Sequence, residues 1–312
     1  MPNDAREREI ADTVSSLMAS YERHSDGSGL FPHFLPNKDT IIDIVELLRK
    51  IIFPGYFEKS GLDEPYLKYS IANLLIEVSD KLRLQVCRAL NYGDAEGDVC
   101  VDRQDAAGCI TDTFLRKLPE IREILLADVE ATYEGDPAAR DNNEIIFAYP
   151  GLFAITVFRL AHELYLLGVP LIPRMMTEYA HGLTGIDINP GAEIGHHFFI
   201  DHGTGIVFGE TTKVGDYVKI YQGVTLGALS TRGGQNLRGK KRHPTIEDEV
   251  TVYASTTILG GDTVIGKGSI IGANVFITQS VPPDTRVSIR VPELELKPKR
   301  AKQAQPPKGG AG

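Results

Sequence analysis

From residue 186 onward the chain repeats every six residues, a period that few folds accommodate. In sixes it reads INPGAE, IGHHFF, IDHGTG and IVFGET from Ile188, then VGDYVK, IYQGVT and LGALST from Val214. After a long insertion it resumes at Ile246 with IEDEVT, VYASTT, ILGGDT, VIGKGS, IIGANV and FITQSV. Thr212 and Lys213 read as two extra residues between the first two runs. Every block opens with Ile, Val or Leu except the last, which opens with Phe276, and small residues crowd the other positions. A helix needs a period of about 3.6 residues. A six-residue period instead marks a parallel β-helix. Three short strands make one triangular coil, and the aliphatic residue of each block points inward and stacks on the next coil. This register puts Ile200 and Ile206 inside and leaves His202 free to face a flank. Flat flanks and unpaired end edges favour burial between copies, most simply in a trimer about a threefold axis.

Upstream the period is helical. Apolar residues recur at helix spacing over 5–24, 40–52, 66–90, 109–133 and 151–167, the last ending at Gly168 before Pro170. The expected class is α+β: an α-helical domain (1–181), a left-handed parallel β-helix (182–291) with an extruded loop (227–245), and a Lys-, Pro- and Gly-rich tail (292–312) expected to be disordered. A net charge of −9 argues against nucleic acid as partner. No run of eighteen apolar residues predicts a membrane span. The charged start MPNDAREREI lacks a signal peptide's apolar region, so a cytoplasmic location is expected. Cys87, Cys100 and Cys109 have neither metal-ligand spacing nor an even count.

The motifs GIDINPGAEIGHHFFIDHGTGIVFGET, YQGVTLGALS and KRHPTIEDEVTVYASTTILGGDTVIGKGSIIGANVFITQSVPP resemble the serine O-acetyltransferases. These are hexapeptide-repeat acyltransferases that make O-acetylserine for cysteine synthesis. The resemblance covers roughly residues 130–290, and the region before 110 is similar to the longer helical domain of one bacterial subgroup. It implies acetyl-CoA as co-substrate, no metal, and an active site between neighbouring β-helices of a homotrimer or a dimer of trimers. It also implies site residues: His202 and Asp187 as catalytic; Asp136, Asp201, Arg242 and His243 for L-serine; Gly227, Ala228 and Ala254 along the coenzyme. Asn189 departs from the histidine that many members carry there. The family's tail commonly ends in isoleucine and docks into cysteine synthase; this chain ends in Gly312, which puts that partner in doubt.

The side chains suit this chemistry. A serine hydroxyl is a poor nucleophile at neutral pH and needs a base, for which histidine is the natural choice. Asp187 lies fifteen residues before His202, close to one coil, where a carboxylate can orient an imidazole. Arg242 suits the substrate carboxylate, with His243 beside it, and Asp136 and Asp201 suit its ammonium. Asp136 also fits a helix N-cap ahead of Pro137. The basic loop carries Arg232, Arg238, Lys240, Lys241 and Arg242 without an acid, which suits an anionic cofactor or substrate. Three other readings compete: an acetyltransferase for another hydroxyl acceptor such as a sugar, a β-helix carbonic anhydrase with zinc on His196, His197 and His202, and an inactive scaffold.

Overall fold

The computed structural model describes residues 2–24, 35–57, 64–92 and 101–290; the tail 292–312, its final Gly312 and Cys100 lie outside them. Among the described residues, seven α-helices come first: α1 (Pro2–His24), α2 (Lys38–Ile52), α3 (Glu64–Leu90), α4 (Val101–Gly135), α5 (Asn142–Ala148), α6 (Pro150–Leu166) and α7 (Ile172–Thr184). Two of them, α5 and α7, were not marked by the helical period. α5 is only seven residues long and is recognisable mainly by its cap, where Asp141 accepts the Glu144 N–H at 2.9 Å. α7 ends at Gly185, whose φ of 71° stops the helix two residues before the first strand. No single described helix is long and apolar enough to cross a membrane. α6 is the helical core: Leu152, Ile155, Val157, Phe158, Leu160 and Leu164 are all buried.

The rest is a parallel β-solenoid of about five left-handed turns. Its first face stacks β1 (Asp187–Ile188), β4 (Val207–Phe208), β7 (Thr225–Gly227), β10 (Thr257–Leu259) and β13 (Phe276–Ile277). The second stacks β2 (Glu193–Ile194), β5 (Lys213–Val214), β8 (Thr245–Ile246) and β11 (Val264–Ile265). The third stacks β3 (Phe199–Asp201), β6 (Lys219–Tyr221), β9 (Thr251–Val252), β12 (Ile270–Ile271) and β14 (Arg286–Val287). Every pair is parallel, and one aliphatic or aromatic residue per strand fills the prism.

The register departs from the sequence reading in two places. Asp201 pairs with Tyr221 and Val207 with Thr225, so six steps in one coil face four in the next. The two extra residues therefore lie in the turn that carries His202, and Thr212–Lys213 is regular. Phe208, not Ile206, stacks between Ile188 and Leu226; Ile206 is buried in the corner column instead. Past the Gly260 turn a further residue shifts the frame. Ile265, Ile271 and Ile277 point inward, while Ile270 and Phe276 face out at 39% and 68% exposure. A one-residue slip turns every side chain to the other face. Adjacent aliphatics, as in Val264–Ile265 and Ile270–Ile271, made both frames look equal.

One buried ion pair joins helices to prism. Arg159 of α6 grips Asp128 of α4 through Nε at 2.6 Å and Nη2 at 3.0 Å. Its nitrogens also donate to the carbonyls of Ile194 (3.2 Å) and Gly195 (2.7 Å) in the first coil. Asp128 accepts the Phe198 N–H at 2.9 Å. Burial pushes the Asp128 carboxyl up, and Arg159 and the Phe198 amide pull it back. The helical region also reaches the prism by close approach: a Cβ on Gly151 would lie 2.6 Å from the Ile200 carbonyl oxygen. Removing one partner of such a pair strands the other charge in the core. Asp128→Ala should cost about 3–5 kcal/mol of stability, read by chemical denaturation.

Candidate active site

The prism has three edges, and the sequence-predicted residues divide between two of them. On the edge between the third and first faces, His202 is the central residue of a three-residue turn closed by the Gly203 N–H to the Asp201 carbonyl at 2.6 Å. Its φ is 57°, the rare and strained form of such a turn. The result is a histidine with 72% of its side chain exposed, its Nδ1 3.6 Å from Asp201 Oδ1. The helical region delivers Asp136 to the same place, directly after α4, where the charge of His202 helps to lower its pKa. Asp136 does cap a turn, its Oδ1 accepting the Ala138 N–H at 2.8 Å, but no helix starts there. Its other oxygen, Oδ2, accepts the Tyr149 hydroxyl at 2.7 Å. That bond, more than the Ala138 amide, holds Asp136 below the usual carboxylate range and pushes Tyr149 up to about 12. Ala254 lies on this edge too, two coils along, at a corner where its carbonyl accepts the Asn274 N–H.

Asp187 is not the partner of His202 within this chain. It sits on the outward side of β1, and Arg174 of α7 holds its carboxylate, Nη1 to Oδ1 at 2.9 Å and Nη2 to Oδ2 at 3.5 Å. Arg174 also pairs with Glu178.

The edge between the first and second faces carries the other group. His243 is buried, and its Nδ1 accepts the Thr211 N–H at 3.0 Å. An amide can only donate, so this bond assigns the ring proton to Nε2. Burial first, then Arg242 and Lys241, lower the His243 pKa to about 4, which keeps the ring neutral. The Thr211 hydroxyl accepts the amides of Arg242 (2.9 Å) and His243 (3.1 Å), so one side chain sets the backbone of both. Arg242 itself pairs with Glu210. Gly227 and Ala228 open the extruded loop on this same edge, and Lys241 is spent on the carbonyls of Thr211 (2.7 Å) and Pro244 (3.2 Å). One face of the prism therefore separates His202 from Arg242.

His196 and His197 lie on the third edge. The His196 amide donates to Asp216 and His197 stacks on Tyr217 with ring centroids 4.3 Å apart. The three histidines of the zinc alternative do not converge in the chain. The sequence reading missed Tyr149, Arg174, Glu210 and Thr211. Only Tyr149 left a signal, a lone tyrosine before Pro-Gly between two helices.

No family model matches the chain. Curated proteins and solved structures do. Over 262 residues it is 47% identical to the plasmid serine acetyltransferase of Synechococcus elongatus, spanning 81% of this chain and 82% of that protein. The chain belongs to the serine acetyltransferases. It is therefore an acyltransferase. The crystal structure of Entamoeba histolytica serine acetyltransferase 1 in complex with L-cysteine superposes with a TM-score of 0.68 at 38% identity, over 81% of this chain and 87% of that one. The Neisseria gonorrhoeae enzyme in complex with serine gives 0.53 at 28% identity, over 80% and 96%.

The cradle of His243 makes its own test. A Cβ on Gly209 would lie 2.1 Å from the His243 ring. Gly209→Ala should displace the imidazole and lower kcat/KM for the acceptor by at least about tenfold, given what an ångström of misplacement costs, with an unchanged circular dichroism spectrum.

Proposed function

We propose that this chain transfers acetyl from acetyl-CoA to the hydroxyl of L-serine, giving O-acetylserine and free coenzyme A, with His202 as the general base. The observation that carries this reading is the meeting of Asp136, from the helical region, with Asp201 and His202 on one exposed edge. Serine is a zwitterion. An edge with two carboxylates and a histidine suits its ammonium and hydroxyl; an edge with Arg242 and neutral His243 suits its carboxylate.

In this mechanism His202 takes the serine hydroxyl proton as the oxygen attacks the thioester carbonyl. It returns a proton to the departing thiolate when the tetrahedral intermediate collapses. Asp201 stands beside the imidazole. Asp187 is the acid assigned to steady the imidazolium, with Arg174 as its partner in the lone chain. Asp136 and Asp201 hold the ammonium, and Arg242 exchanges Glu210 for the substrate carboxylate. Gly227, Ala228 and Ala254 flank the coenzyme. General-base catalysis contributes roughly 10²–10⁴-fold, so His202→Ala should lose at least about 10² in kcat, measured by coenzyme A release with L-serine beside homoserine and sugars. An unchanged rate removes the mechanism, and a preference for a sugar removes the substrate.

The two groups lie on different edges of one prism, so the complete site needs a second copy. A homotrimer sets the His202 edge of one chain against the Arg242 edge of its neighbour. His202→Ala and Arg242→Ala chains should each be inactive alone. Refolded together in equal amounts, random mixing should restore roughly a quarter of wild-type activity, because that share of sites joins two intact edges. A site formed within one chain would give no recovery. The division at residue 181/182, the membership of loop 227–245 and the cytoplasmic location belong to the same reading.

A further inference from the structure

We infer that Tyr149 is the positioning residue for Asp136, fixing the carboxylate that receives the acceptor's ammonium group. The inference rests on the substrate assignment just made. Asp136 follows the last residue of α4, where no regular hydrogen-bond ladder restrains its side chain. Its carboxylate is nevertheless held at both oxygens, by the Ala138 amide at 2.8 Å and the Tyr149 hydroxyl at 2.7 Å. Each carboxylate oxygen has two lone pairs, so these bonds leave acceptor capacity for an ammonium while removing rotation.

Tyr149 is well placed to do this because its backbone and ring are both anchored. It is both the C-cap of α5 and the N-cap of α6, with an extended backbone at φ −80° and ψ 118°. Pro150 enforces that extended backbone. The Tyr149 amide donates to Ile145 at 3.2 Å, and its ring packs against the helical core. Two residues on, Gly151 brings α6 into contact with the Ile200 backbone, one residue before Asp201. Tyr149 thus ties the end of α4 to the point where α6 meets the prism. Asp201, His202 and Tyr221 share the field around the pair, and Glu144 adds to it from α5.

The test is Tyr149→Phe, which removes only the hydroxyl, read beside Asp136→Asn and the double variant. Losing a hydrogen bond to a charged group should raise the KM for L-serine about tenfold. The KM for acetyl-CoA and kcat should stay within about twofold, and the preference for L-serine over 3-hydroxypropanoate, which lacks the ammonium, should narrow. The double variant should be no worse than Asp136→Asn alone, because the two residues act as one unit. If Asp136→Asn raises the serine KM and Tyr149→Phe does not, the positioning role is overturned and the ammonium assignment stands. If Tyr149→Phe weakens both substrates equally and lowers the melting temperature, the tyrosine is a scaffold residue and the inference fails. If Asp136→Asn leaves the serine KM unchanged, the ammonium assignment itself is wrong.

Discussion

The buried pair between Arg159 and Asp128 is the contact on which the rest of the site depends. It is expensive to bury a charge, and this one is compensated only because every nitrogen and oxygen finds a partner: each other, the Ile194 and Gly195 carbonyls, and the Phe198 amide. Those partners come from two helices and from the first coil. The pair can therefore form in one arrangement of helices against prism. Asp128 lies in the last turns of α4 and Asp136 directly follows that helix, so fixing the first delivers the second to the edge where His202 stands. The helical region becomes part of the site chiefly through this bond network, with Arg174 on Asp187 as a second polar link to the prism.

The second constraint is the corner at 202–206. Two additional residues lengthen this corner, where His202 takes a positive φ and its imidazole stands exposed. Strain of this kind persists only where the surroundings over-determine it. Here the coils above and below supply that restraint: the Gly205 amide donates to Gly185 at 2.8 Å and the Gly223 amide donates to Thr204 at 3.0 Å. The opposite edge uses another device. Thr211 receives two backbone amides and Gly209 leaves room for a flat ring, so the buried His243 stays neutral beside the cation of Arg242.

Much of this was legible in the residue order. The six-residue period identified the β-helix because stacking one aliphatic residue per strand is the only way such short strands can make a core. The motif around Asp201 and His202 and the Arg242–His243 pair marked polar groups that a scaffold would not need. Frame was harder to read. Adjacent aliphatics at Val264–Ile265 and Ile270–Ile271 allow two registers that differ by one residue, and only stacking against Ile246 and Val252 selects one. The two extra residues were visible as a count, but their location was not, since Thr212 and Lys213 fit an interruption as well as the His202 corner does.

The solenoid, the helical region ahead of it and the chemical types at the site all follow from residue order, because periodicity and residue chemistry are local properties. Tertiary structure alone decided which residues meet. It set Asp136 beside His202 through a buried charge pair thirty-one residues apart in the chain. It put Asp187 against Arg174, and it sent Arg242 and His243 to a different edge from the base. Those outcomes depend on where α4 and α7 dock and on how many residues turn each corner, and neither quantity is written in any one stretch of the chain.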